Sequence, residues 1–395
     1  MSVLSELVPT ARSKRSIPVM RPTLGPEEAV AASEAVLSGW VAQGPRVAQF
    51  EEAFARRVGA AHAVAVSSCT TALHLALVVA GIGPGHDVLV PSLSFIATAN
   101  AVRYVGAHPV FADVDPITQN LTVESIRSAL TPATRAVIVV DQGGVPAELD
   151  PIRVLCDPLG VTVIQDAACA IGSTYAGQPV GARAELAAFS FHPRKVITTG
   201  EGGMLVTSNE EWAARCRRLR EHGMNVSAAD RHLAQGPVLE AYVETGFNYR
   251  MTDVQAAIGL VQLSRLDLIV SRRRLLAQRY QRKLVEIPQL EQAIMAADPG
   301  YGTTNFQSFW VCLPDEFPVE RNHLLGILAD HGVSARRGIM ASHLEPAYAG
   351  HPHQPLPVTE RLTERSLILP LFHDLTEADQ DLVVDVIATA AERRS

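Results

Sequence analysis

From about residue 60 to residue 207 the chain alternates short β-branched runs with amphipathic stretches, the pattern of strands and helices in turn. The pattern predicts strands at 63–66, 87–90, 109–114, 136–140, 162–165, 187–191 and 204–207. Helices are predicted at about 70–80, 94–104, 122–130 and 149–158. The run Ala136-Val137-Ile138-Val139-Val140 is apolar throughout, as expected of a parallel strand covered on both faces. The expected fold class is therefore α/β with a mostly parallel central sheet.

Flanking segments follow other periods. Val47, Phe50, Phe54 and Val58 recur at spacings of three and four, which predicts a helix ending at Gly59. Thr252-Asp253 suits a helix N-terminus. Beyond it a helical pattern runs from Val254 to about Val285 with no proline and no glycine after Gly259, the length of a connector between domains. From 286 onward a strand at 306–313, helices near 319–331 and 376–392, and short apolar runs around Val333 and 367–371 predict a smaller α+β domain. The proline-rich stretch 348–358 reads as a loop. The implied division is an N-terminal arm and large domain over 1–251, a connecting helix over 252–285 and a small C-terminal domain over 286–395.

With 395 residues, 47% hydrophobic and 19% charged, the chain has enough apolar sequence for a large core. The net charge of -7, with both signs interspersed, gives no nucleic-acid footprint. No apolar run approaches the roughly 20 residues that cross a bilayer, and the first 23 residues lack a signal-peptide core, so a cytoplasmic location away from membranes is expected. Cys69, Cys156, Cys169, Cys216 and Cys312 are odd in number and scattered, which predicts reduced thiols. His351-Pro352-His353 lacks carboxylate or thiol partners; it is expected to be exposed, and no metal site is expected.

Lys195 is one of only three lysines, and of the three only it lies between an apolar strand and a glycine-rich turn. A lysine amine can form a Schiff base with an aldehyde and act as a base once desolvation lowers its pKa; a guanidinium can do neither. Lys14 lies in a polar arm and Lys283 on a charged helix face. Asp166 ends a predicted strand, where α/β sheets bind ligands, and its carboxylate suits either a pyridinium nitrogen or a structural role. Ser67-Ser68-Cys69-Thr70-Thr71 opens a helix after a strand, either as a phosphate cup or as a plain cap. Ser190 offers another hydroxyl. Phe95 follows a strand end, suited to stacking on a planar ring or to core packing. His192 and His343 read as structural, and Arg250, Arg336 and Arg337 are candidates for an anionic substrate.

Together these segments resemble the DegT/DnrJ/EryC1/StrS family of pyridoxal-phosphate sugar aminotransferases, which have the aspartate-aminotransferase fold (fold type I). The resemblance runs in order through Gly39-Trp40-Val41-Ala42-Gln43-Gly44-Pro45, the Ser67 to Ala76 segment, Asp113-Val114-Asp115-Pro116, Gln165-Asp166-Ala167-Ala168, the Lys195 loop with Gly200-Glu201-Gly202-Gly203, and Asn248-Tyr249-Arg250-Met251-Thr252-Asp253. It implies that Lys195 holds pyridoxal 5'-phosphate and that Asp166 pairs the pyridine nitrogen. Ser190, Thr70 and Thr71 would hold the phosphate, and Phe95 would stack on the ring. Asn248 would reach the phosphate in a neighbouring subunit, making a homodimer with shared active sites.

The implied reaction moves an amino group from glutamate or glutamine to a keto-sugar, nucleotide-linked, in glycan or secondary-metabolite synthesis. Two alternatives remain. A sugar dehydratase of the same family carries histidine at the lysine position, so Lys195 argues against it, and a non-catalytic regulator on this fold needs no amine facing a carboxylate. Two departures border the cofactor or substrate pocket, Cys169 where glutamine is common and Asp141-Gln142-Gly143-Gly144 for a His-x-Tyr-Gly-like segment; a third is Cys69 at a helix entrance, where glycine is common.

Overall fold

The computed structural model describes residues 16–226 and 239–392, so Lys14 lies outside the described residues. The first nine strands are β1 (His62–Val66), β2 (Asp87–Pro91), β3 (His108–Ala112), β4 (Thr134–Val140), β5 (Thr162–Asp166), the two-residue β6 (Thr174–Tyr175) and β7 (Gln178–Pro179), β8 (Leu186–Ser190) and β9 (Gly203–Thr207). Seven of them form one sheet in the order β1-β9-β8-β5-β4-β2-β3. Only β9 runs antiparallel to its neighbours β1 and β8; β8, β5, β4, β2 and β3 pair in parallel.

Side-chain alternation explains why this sheet is covered twice. In β1, Ala63 and Ala65 join an apolar layer with Phe50, Phe54 and Phe191, while Val64 and Val66 join the opposite layer with Leu73, Leu75 and Leu77. The helix Pro45–Val58 buries Val47, Phe50, Phe54 and Val58 as its spacing predicts and ends on left-handed Gly59. Its Phe50 and Phe54 rings lie 5.2 and 5.5 Å from that of Phe191, which supports the chain just beyond β8 where the lysine loop begins. Asp253 caps this helix from afar: its carboxylate accepts N–H bonds from Gly44 (2.8 Å), Val47 (3.0 Å) and Arg46 (3.1 Å).

A second core lies in the C-terminal part. Strands β10 (Ile294–Met295), β12 (Phe309–Cys312), β13 (Arg336–Arg337) and β14 (Ser366–Leu369) form an antiparallel sheet in the order β10-β12-β14-β13, accompanied by helices Arg321–Asp330 and Glu377–Ala391. The short β11 (Gly302–Thr303) instead pairs with β6 in a separate three-stranded sheet of order β11-β6-β7, which joins this part to the segment between β5 and β8. Two expectations need correction. Ile17 pairs with Val333 and packs in the C-terminal core, so the described end of the arm belongs with the small unit and not with the large one. The long connector is two helices, Asp253–Ser264 and Leu266–Leu284, bent by 58°. The bend sits where the side chains of Gln262 and Arg265 both reach the buried Glu28 carboxylate, each at 2.8 Å. Leu266 and Ile269 then pack in the first core, and Leu276, Tyr280 and Leu284 in the second. Among the described residues no single helix is long and apolar enough to cross a membrane.

Candidate active site

Asp166 and Ser190 stand at the carboxyl ends of the neighbouring parallel strands β5 and β8, and the turn after β1, which runs in the same direction beyond the antiparallel β9, lies at the same edge, where α/β sheets gather ligand groups. Asp166 is only 5% exposed. Its Oδ2 accepts a hydrogen bond from the Thr98 hydroxyl at 2.8 Å, and its Oδ1 accepts from the Ala168 N–H at 3.2 Å and faces the Cys69 thiol at 3.9 Å. Burial raises its pKa, and the Thr98 bond, Lys195, the Ala168 bond and Cys69 only partly offset this. A buried carboxylate left short of positive charge is fitted to receive a cationic ring N–H. Asp166 does not cap a helix, because none of its partners is a helix N-terminal amide.

The lysine loop is held at several points. The Lys195 N–H donates to the His192 carbonyl (2.8 Å), the Thr198 hydroxyl to the Phe191 carbonyl (2.7 Å), and the Thr198 N–H to Gln262 Oε1 (3.2 Å). Lys195 Nζ lies 3.2 Å from Cys169 Sγ. Burial pulls the ammonium pKa down, but Cys169, Cys69 and Asp166 outweigh it, so without cofactor the amine sits above the ordinary lysine range. This reverses the lowering expected from desolvation alone. The reason is the group of sulfurs and carboxylate around the amine.

Ser68 caps the helix Cys69–Val79, its hydroxyl accepting from the Thr71 N–H at 3.2 Å. Thr71 donates its own hydroxyl to the Ser68 carbonyl at 2.8 Å, so in this conformation its proton serves the cap. The Thr70 hydroxyl makes no hydrogen bond among the described residues and remains available, together with the first amides of the helix, to an anion. Cap and phosphate cup are thus compatible uses of one turn. Gly203 lets β9 approach this turn, since a Cβ there would overlap the Ser68 backbone. Ser190 is buried and its hydroxyl faces the His192 N–H at 3.5 Å.

Phe95 is 64% exposed, which excludes the core-packing alternative. It stands three residues before Thr98, whose N–H donates to its carbonyl at 3.1 Å. Asn248 is exposed and is not brought to the phosphate cup by any hydrogen bond among the described residues. Its backbone bridges Glu221, and the next residue, Tyr249, accepts from the Ser67 N–H at 2.8 Å. The arginines separate by partner. Arg337 pairs with Glu345 at 3.2 Å. Arg336 has no acidic partner among the described residues, and its pKa is lowered by burial and by Arg194, next to Lys195. His351 is half-buried, stacked 4.7 Å from His108, where full exposure was expected.

Three positioning residues escaped the sequence reading. Thr98 carries no motif of its own. Asn305 donates its amide to the carbonyls of Cys169 and Ile171, both at 2.8 Å, and the Gln307 amide reaches the Arg194 carbonyl at 2.9 Å. The segment leading to β12 therefore fastens both the Cys169 loop and the Lys195 loop. Gly144 makes room for it, because a Cβ there would overlap the Asn305 side chain.

A lysine amine, a buried carboxylate coupled to it and a helix N-terminus with a free hydroxyl fit the aldehyde, ring nitrogen and phosphate of pyridoxal phosphate. On this fold, that set defines a pyridoxal-phosphate-dependent aminotransferase. The chain belongs to the DegT/DnrJ/EryC1/StrS aminotransferase family, which it matches over residues 22–388. It is similar to the aminotransferase TlmJ from Streptoalloteichus hindustanus, with 36% identity, 95% of this chain and 98% of that one covered, and a TM-score of 0.86. DesI, solved in the presence of its TDP-sugar product, is 32% identical over 96% and 94% of the two chains, with a TM-score of 0.86. Spr1654 from Streptococcus pneumoniae in its PLP form is 25% identical over 96% and 99%, with a TM-score of 0.88.

Proposed function

We propose that this aminotransferase acts on the keto group of a nucleotide-linked sugar, takes nitrogen from glutamate or glutamine, and works as a homodimer with shared sites. The convergence of the half-buried Lys195 on the buried Asp166 carries the chemistry, and the TDP-sugar product of DesI supports the acceptor class. When bound, the cofactor supplies an aldehyde that accepts nitrogen and a ring that holds the electron pair of a broken C–H bond. Lys195 Nζ would hold the cofactor covalently and is the group that would carry the substrate-carbon proton. Asp166 keeps a proton on the ring nitrogen, a task that its burial beside Thr98 strengthens by excluding water. The Cys69–Val79 helix N-terminus and Thr70 orient the phosphate. Arg336 is suited to an anionic group of donor or acceptor. The exposed Asn248 amide would serve a second chain.

The test begins with the visible absorbance of the loaded protein. Glutamate or glutamine should bleach it in a single turnover, and a nucleotide-linked keto-sugar should restore it. Restoration by simple keto acids alone would overturn the acceptor. For the shared site, mixing inactive Lys195→Ala with inactive Asn248→Ala subunits should regenerate one intact site per mixed dimer; subunit exchange without recovered activity would overturn it.

A further inference from the structure

We propose that Lys195 and Cys169 form a reversible oxidative cross-link, a sulfur–nitrogen bond made by hydrogen peroxide, that closes the site to its cofactor. It rests on Lys195 as the cofactor lysine and is independent of which acceptor is used. Nζ and Sγ stand 3.2 Å apart, within the roughly 3–3.5 Å of a near-attack pair. Both groups are half-buried, so peroxide has access to the sulfur. The Cys169 loop and the Lys195 loop are each fastened by the Asn305 to Gln307 segment, which holds the pair in register.

The chemistry closes in two steps. The thiolate attacks peroxide to give a sulfenic acid, and the hydroxide released takes a proton from the Lys195 ammonium to form water. The neutral amine then attacks the sulfenic sulfur, an S–N bond replaces the S–O bond, and a second water leaves. Sulfur is oxidised by two electrons and peroxide is reduced. Oxidation also prepares the amine: Cys169 is one of the groups that favour the proton on Lys195, and that proton is given up to the released hydroxide. The competing nucleophile is Cys69. Its thiol faces the Asp166 carboxylate at 3.9 Å, and burial together with that carboxylate keeps it protonated, the form that attacks poorly. Lysine therefore captures the sulfenic acid ahead of a disulfide.

The experiment treats the full-length protein, cofactor-stripped or loaded with pyridoxal phosphate, with hydrogen peroxide and maps its peptides without reductant. In the stripped protein the peptides bearing Cys169 and Lys195 should be joined, with a mass two hydrogens below their sum. Cofactor uptake, read as visible absorbance, should fall at least about tenfold and return after dithiothreitol. Prior loading should protect, because the amine is then occupied. Cys169→Ser should abolish the joined peptide and Cys69→Ser should keep it. A Cys69–Cys169 disulfide, a joined peptide carrying an extra oxygen, or oxidation of Cys169 to sulfinic acid with no joined peptide would each overturn the proposal. Because mass reports the bond directly, its failure is distinguishable from failure of the cofactor assignment, which borohydride labelling of Lys195 reads separately.

Discussion

On the inner wall of the site the main polar groups are answered from within the chain: Asp166 by Thr98 and Ala168, Lys195 by Cys169, the Ser68 hydroxyl by Thr71. At the rim the reverse holds. Phe95 and Asn248 face outward and Arg336 has no acid beside it among the described residues. A wall that is complete in one chain can be preorganised before anything binds, whereas rim groups gain partners only when cofactor, substrate or a second subunit arrives. Wall substitutions should therefore damage the chemical step, and rim substitutions should damage binding.

The largest effect should come from the wall. Lys195→Ala should cost at least about four orders of magnitude in transfer rate, since covalent exchange and proton transfer fail together. Borohydride reduction of the loaded native protein should label the Lys195 peptide, and a label on Lys14 or Lys283 would break the assignment. Asp166→Asn should retain cofactor yet lose about 3–4 kcal/mol of transition-state stabilisation, several hundredfold in kcat. Near-native turnover would dissolve the distinction between wall and rim.

A subtler test lies behind the wall. Asp141 is fully buried, and burial pushes its carboxyl up to about 7, against the Ala147 and Gln165 hydrogen bonds that lower it; Asp166 adds repulsion. The folded chain thus holds a proton that the unfolded chain releases near 3.8, so this group's contribution is full below 3.8 and is lost as pH rises to about 7. Relative to the native protein, Asp141→Asn should gain stability across that window, by an amount on the order of a few kcal/mol. Denaturant melts at pH 4 and pH 8 measure it; equal differences at both would overturn the assignment.

The smallest effects belong to the rim. Arg336→Ala should raise KM for the anionic substrate about tenfold with kcat little changed. Arg337→Ala, which removes a solvent-exposed pair with Glu345, should change stability by less than about 1 kcal/mol and leave both constants alone. If the two variants behaved alike, partner count would not be what separates them.

The large sheet was legible because buried strands leave apolar runs, and the seven strands predicted between 60 and 207 occur within a residue or two of their expected limits, whereas the one predicted at 306–313 is confined to Phe309–Cys312. Lys195 and Asp166 were legible because strand ends and glycine turns mark them locally. The bend at Arg265 was not, since it depends on Glu28, more than two hundred residues away, and not on a glycine or proline. Thr98 and Asn305 were invisible for the same reason: their roles exist only once distant segments meet. Even the net direction of the Lys195 shift needed the structure, because burial and neighbouring sulfurs act in opposite senses and only geometry sets their balance.

The Asn305 amide that fastens the Cys169 loop reaches back across 136 residues of sequence. During synthesis, therefore, the large sheet can assemble while the loop that lines its catalytic edge still lacks its anchor. Competence to capture the cofactor arrives late, after residue 305 has emerged and docked. A chain stopped short of that residue would present a folded sheet with an unfinished mouth. Nascent-chain intermediates would be expected to acquire protection from proteolysis before they acquire colour.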